Sequence, residues 1–179
     1  MRLVFSHRGF LPFLSCLLLL LAAACDDDLK ARAPGLSWQA QPPADGPAVY
    51  FSVGEYAPGR LLATVSARGM EHVVGFALRL RIDPLKWRFV EFRPASAWAL
   101  RPRAASAARD DLVLVGIGVP VDTGGETFSE KPVGTLVFEV LDASDAELSF
   151  IPEKSAVLDV SGAPVPDVTF SGGGLTRSR

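Results

Sequence analysis

The residues of this 179-residue chain that could do chemistry are few and widely separated. Cys25 runs directly into Asp26, Asp27 and Asp28, which sets one soft thiolate beside three hard carboxylates. Those donors favour different metal ions, and neighbours on an extended segment are not preorganised as ligands. His72 is the only histidine beyond the first eight residues, so it alone could serve as base for a serine nucleophile. No His-x-Glu, Gly-x-Ser-x-Gly or paired-histidine spacing accompanies it. Glycosidic cleavage needs two carboxylates roughly 5–10 Å apart across a cleft. Asp110, Asp111, Asp122 and Glu126 are candidates by type, but their positions do not pair them. Asp122, Glu126 and Glu130 also offer oxygens within VDTGGETFSEK, residues 121–131, but without the regular acidic alternation of an EF-hand loop, so the segment reads as a solvated loop. Four aromatic side chains, Trp38, Tyr56, Trp87 and Trp98, could stack on a sugar. Trp87 shares the parity of Phe89 and reads as packing, which leaves Trp38, Tyr56 and Trp98 as candidate ligand-facing aromatics. The expectation is a non-enzyme with no catalytic residues, no cofactor and no metal site.

The positioning elements begin with an export signal. Arg2, His7 and Arg8 precede FLPFLSCLLLLLAAA, and Ala22, Ala23 and Ala24 lead into Cys25. A basic start, an apolar core of about 7–15 residues and small residues at the end define a secretory signal over 1–24. The run is interrupted by Pro12 and falls short of the roughly 20 apolar residues of a spanning helix. Cleavage after Ala24 satisfies the Ala-x-Ala rule. The stretch Leu21-Ala22-Ala23-Ala24-Cys25 also resembles the lipobox of bacterial lipoproteins. That resemblance implies diacylglycerol on the Cys25 sulfur and a new N-terminus at the same residue. Cys16 leaves with the signal, so the mature chain would form no internal disulfide.

Residues 25–47 hold Pro34, Gly35, Pro42, Pro43, Gly46 and Pro47 with little periodicity, and read as an extended tether. The whole chain carries a net charge of −2, and loss of Arg2 and Arg8 makes the remainder more acidic. That balance excludes a nucleic-acid footprint. Arg93, Arg101, Arg103 and Arg109 are the only local basic excess and read as a solvated edge.

From 48 to 175 the pattern has period two. In VVGFALRLRI, residues 73–82, Val74, Phe76, Leu78, Leu80 and Ile82 alternate with Gly75, Ala77, Arg79 and Arg81. Such alternation marks a strand buried on one face. Further strands are expected at 48–53, 60–67, 87–92, 112–119, 134–141, 147–151, 156–160 and 167–171. Glycine, proline and aspartate punctuate the gaps. LVLVGIGV, residues 112–119, is a continuous apolar run, suited to burial on both faces or cover by a loop. Only 95–111 could hold a short helix, limited by Pro102. About nine short strands predict an all-β antiparallel sandwich.

GFALRLRIDPLKWRFVEF resembles the cohesin-domain pattern, through Gly75, Phe76, Leu78, Leu80, Asp83, Pro84, Leu85 and Phe89. GTLVFEVLDASDAELSF resembles its later signature, through Gly134, Leu136, Phe138, Val140 and Leu148. AVLDVSGAPVPDVTFSGG resembles its terminal hairpin, with Asp159 and Gly162 near the turn. The resemblance implies a nine-stranded jelly-roll sandwich, a fold shared with several carbohydrate-binding modules. It also implies non-enzymatic protein recognition, since cohesins grip dockerins through one sheet face. The expectation is therefore an exported, membrane-anchored bacterial lipoprotein that presents a cohesin-like module. Its partner would be a dockerin-like or other envelope protein, with a surface polysaccharide as the alternative and no nucleic acid. In the Asp-Pro pair, aspartate accepts following backbone amides and proline fixes φ, so Asp83 is read as structural.

Overall fold

The computed structural model describes residues 35–41, 43 and 45–177; the signal segment and Cys25 lie outside the described residues. Eleven strands follow in order: β1 Leu36–Ala40, β2 Ala48–Ala57, β3 Arg60–Arg81, β4 Trp87–Pro94, β5 Arg103–Arg109, β6 Leu112–Gly118, β7 Glu126–Val140, β8 Ala146–Phe150, β9 Ala156–Asp159, β10 Thr169–Ser171 and β11 Gly173–Arg177. Two short 3₁₀ turns, Val121–Thr123 and Pro152–Lys154, complete the described elements.

The architecture is the expected all-β sandwich, made by one long strand that serves both layers. The first part of β3 pairs antiparallel with β2 and β7, and β4 and β10 extend that layer. The later part of β3 pairs with β6 on one side and with β9 and β8 on the other. β5 extends that second layer beyond β6, and β11 and β1 extend it beyond β8. The strand crosses between layers around Gly69 and His72, both at positive φ, where its register with β7 shifts. Gly69 takes that conformation without the steric cost a Cβ imposes. β10 lies parallel to β2, with Phe170 opposite Val49.

Period two explains what fills the space between layers. Phe76, Leu78 and Leu80 of β3 point inward with Leu61, Phe51, Phe128, Phe138 and Leu148, all under 2% exposed. Phe51 stacks on Phe150 at 4.8 Å, and Phe76 meets Phe128 edge to face at 5.0 Å. The Asp-Pro turn has the structural role read from the sequence. Asp83 Oδ1 accepts the Leu85 amide at 3.0 Å, and its carbonyl accepts the amides of Lys86 and Trp87.

Four local expectations change. Leu36–Ala40, placed in the tether by composition, form β1 and pair with β11. The segment 95–111 contains no helix; its second half is β5, joined to β6 by a turn at Asp110 and Asp111. Alanine favours helix only weakly, and the ladder with β6 overrides it. Leu112–Gly118 is buried on one face only, because Gly116 and Gly118 take the outward positions and Leu114 is 38% exposed. Strand β7 begins at Glu126, so the last part of the expected loop 121–131 is a ladder rather than a solvated segment.

Candidate functional site

Apart from Asp122, exposed in the Val121–Thr123 turn, the acids offered as candidates for chemistry are taken up by structure. Glu126 is buried; it accepts Lys131 Nζ at 2.7 Å and the Leu100 amide at 2.8 Å. Burial pushes its carboxyl up, but those hydrogen bonds and the Lys131 charge outweigh it and hold the pKa below the ordinary carboxylate value. Glu130 accepts the Tyr50 hydroxyl at 2.8 Å. Burial, then the hydrogen bond to Glu130, raise the Tyr50 phenol above its ordinary value. Asp111 pairs with Arg81 and Asp110 with Arg109 at the β5–β6 turn. His72 sits exposed at the bend of β3, with Nδ1 3.3 Å from the Gly124 carbonyl. Among the described residues no group of His, Cys, Asp and Glu is arranged to hold a metal ion.

The candidate ligand-facing aromatics turn inward. Trp98 is 7% exposed, stands edge-on to Phe76 and Phe128, and donates its Nε1 hydrogen to the Val133 carbonyl at 2.9 Å. Trp38 lies over Gly173 of its own layer and against Gly54 of the other. Tyr56 pairs across from buried Leu61 and packs on the core. Among the described residues the large apolar ones left exposed are all aliphatic, so the three aromatics form no flat stacking platform. An open cleft of about 790 Å³ beside β8 and β11, bordered by Gln39, Gln41, Arg81, Lys86 and Glu147, has no aromatic in its lining either.

What the fold does assemble is a smooth outer surface on the β5–β6–β3–β9 layer. Residues paired across an antiparallel ladder point to the same face, so the register gives the surface row by row. Ala77 stands between Gly116 and Ala156, and Gly116 faces Ala105. At the end of the strip Gly75, itself buried, stands between Gly118 and the half-buried Leu158, and Gly118 faces the exposed Arg103. The next rows are Arg79, Leu114 and Ala107, then Arg81, Leu112 and Arg109. The result is a strip of glycine and alanine with Leu114 rising from it and four arginines at its ends. Arg79 and Arg103 have no ion-pair partner among the described residues. Outward positions on a solvated sheet are ordinarily polar; a bare strip lets a partner's backbone come close. The outward parity of Gly75, Ala77, Arg79 and Arg81 was legible in the sequence, but that β5 and β6 extend the strip was not.

Solved structures share this two-layer fold. A type II cohesin of Bacteroides cellulosolvens superposes with a TM-score of 0.61 at 10% identity, over 75% of this chain and 99% of that one. The fold is cohesin-like. A type II cohesin in a cohesin–X-dockerin complex of Acetivibrio cellulolyticus matches at a TM-score of 0.57 and 11% identity, over 71% of this chain and 96% of that one. A non-cellulosomal cohesin of the archaeon Archaeoglobus fulgidus matches at 0.55 and 13%, over 74% and 88%. No protein-family model matches the sequence, and no curated protein matches it. The cohesin-like resemblance seen in the Asp-Pro and leucine–phenylalanine strands is thus shown at the level of fold.

Proposed function

We propose that this chain is a non-enzymatic protein-recognition module, held at a bacterial cell envelope by lipid on Cys25. The docking surface is the outer face of β5–β6–β3–β9, and the observation that carries the proposal is its glycine–alanine strip framed by arginines. Such a strip buries backbone and small side chains without ordering long ones, which lowers the entropic cost of association. Arg79, Arg81, Arg103 and Arg109 favour a partner whose matching surface is acidic. The kinship of fold with a cohesin solved with a dockerin supports protein recognition rather than catalysis. The inward turn of Trp38, Tyr56 and Trp98 weighs against the polysaccharide alternative.

A photo-crosslinking amino acid placed at Ala77, with the same residue at exposed Glu55 on the other layer as control, tests this in the producing cell. A discrete protein adduct from position 77 and none from position 55 is expected. Equal adducts from both positions, or none from 77 together with glycan binding that survives Ala77→Arg, would overturn the proposal.

A further inference from the structure

A second surface adjoins that face, sharing Arg103 and Arg109 with it, along the edge of β5. All seven residues Arg103–Arg109 are exposed, and β5 pairs with β6 alone. Ala104, Ser106 and Ala108 sit opposite the buried Ile117, Val115 and Val113, so they belong to the inward face, yet they too are exposed. The layer therefore stops one strand short of covering its neighbour. Below the edge runs a groove of about 310 Å³ whose lining includes Trp87, Ala108 and Leu141 together with the charged Arg88, Arg109 and Asp110. Trp87 is 1% exposed, and its indole Nε1 has no acceptor among the described residues. A buried donor left without a partner costs roughly 1–3 kcal/mol.

Natural edge strands are usually blunted by proline, a bulge or an inward charge. β5 has none of these within its length: its register with β6 is continuous from Arg103 to Arg109, and the interior is alanine and serine. The cations are at the ends. Arg101 and Arg103 are exposed without an ion-pair partner among the described residues, and Arg109 has only the exposed Asp110 at 3.7 Å.

We propose that β5 accepts an extended segment of a partner protein by strand addition. Apolar residues at alternate positions of that segment enter the groove beside Ala108 and Trp87, and acidic residues lie against Arg101 and Arg103. A strand matching residues 103–109 spans about 20 Å, enough to carry both contacts. Main-chain hydrogen bonds along the edge supply affinity, and the alternating side chains supply selectivity.

The test uses the full chain with two end-capped ten-residue probe peptides, one alternating valine with glutamate and one alternating valine with lysine. Amide hydrogen exchange over 103–109 and the Trp87 indole N–H resonance are followed at rising peptide concentration. The glutamate peptide slows exchange across β5 and shifts the indole resonance, and the lysine peptide binds about tenfold more weakly or worse. Ala108→Arg, which obstructs the groove, weakens the glutamate peptide by about tenfold; Arg101→Glu with Arg103→Glu reverses the preference, and Ala77→Glu changes neither. Equal binding of both peptides, unchanged exchange over 103–109, or full binding by Ala108→Arg would each overturn the proposal. So would protection of β5 that rises with protein concentration alone, which would assign the edge to a second copy of the chain.

Discussion

Trp38 of β1 meets Phe51 of β2 edge to face, with ring centroids 5.8 Å apart and planes at 77°. The indole is held between Gly54 and Gly173, and a Cβ on Gly54 would fall 2.1 Å from it. The segment that composition assigns to a tether is therefore tied into the sandwich by a large side chain. Trp38→Ala is expected to destabilise the domain by about 2–4 kcal/mol, at the lower end for large-to-small core changes because Trp38 is only half-buried. Gly54→Val should be destabilising too, through overpacking. Urea unfolding of both variants checks this; a Trp38→Ala midpoint equal to wild type would detach β1 from the folded unit.

The outer face can be separated from the core by choosing positions with room. A Cβ on Gly116 meets nothing closer than the Ala105 carbonyl at 4.0 Å, whereas one on Gly118 would lie 2.7 Å from the Val74 carbonyl. Ala77→Glu and Gly116→Ser are expected to alter stability by at most about 1 kcal/mol. Ala77→Glu should abolish capture of the envelope partner, while Gly118→Val should lower the melting temperature clearly. Thermal denaturation and the crosslinking yield, measured together, distinguish a lost interface from a lost fold.

Glu126 links β7 to the loop before β5 and sets a pH dependence. Its folded pKa lies below the ordinary carboxylate value. Its contribution is therefore fully present above that value and disappears as pH falls through the ordinary carboxylate range to the folded pKa. Glu126→Gln is expected to cost about 1–3 kcal/mol at neutral pH, by loss of charged hydrogen bonds to Lys131 and Leu100. The variant should also lose less stability than wild type on acidification. Denaturant unfolding from pH 7 to pH 3 gives both quantities, and parallel profiles for the two proteins would contradict the assignment.

Asp83 is expected to act through its acceptor and not through its charge. Asp83→Ala removes the bond from the Leu85 amide and should cost about 1 kcal/mol. Asp83→Asn retains an acceptor and should stay close to wild type. A large loss in the asparagine variant would point to a role for the charge that the turn geometry does not show.

At the N-terminus, the proposed anchor predicts incorporation of labelled palmitate and partition with the membrane fraction into detergent. Cys25→Ser should lose both in the producing cell. Retention of the label by the serine variant would remove Cys25 as the lipid carrier.

Much of this arrangement was legible from residue order. Alternation at Val74, Phe76, Leu78 and Leu80 gave the inward face directly, because a strand's period of two needs no tertiary partner to be read. The turn at Asp83-Pro84 was legible from its own residues too, since proline restricts φ locally. Trp98 and Trp38 were not. A tryptophan in an irregular segment can face core or solvent, and nothing near it in sequence chooses between Phe128 and water. β5 was missed because alanine and serine carry no hydrophobic period, and only pairing with Leu112–Gly118 makes RAASAAR a strand.

The sequence by itself determined the layer type, the inward set of side chains and the local turns, all of which depend on contacts between near neighbours. The tertiary structure alone decided that Ala77, Gly116, Ala105 and Ala156 form one surface, because ladder register joins residues from about 11 to about 79 positions apart. It alone decided, too, that β5 ends its layer with an open edge above Trp87. A strand has two edges in every sequence; whether each is filled depends on how many strands the fold brings beside it.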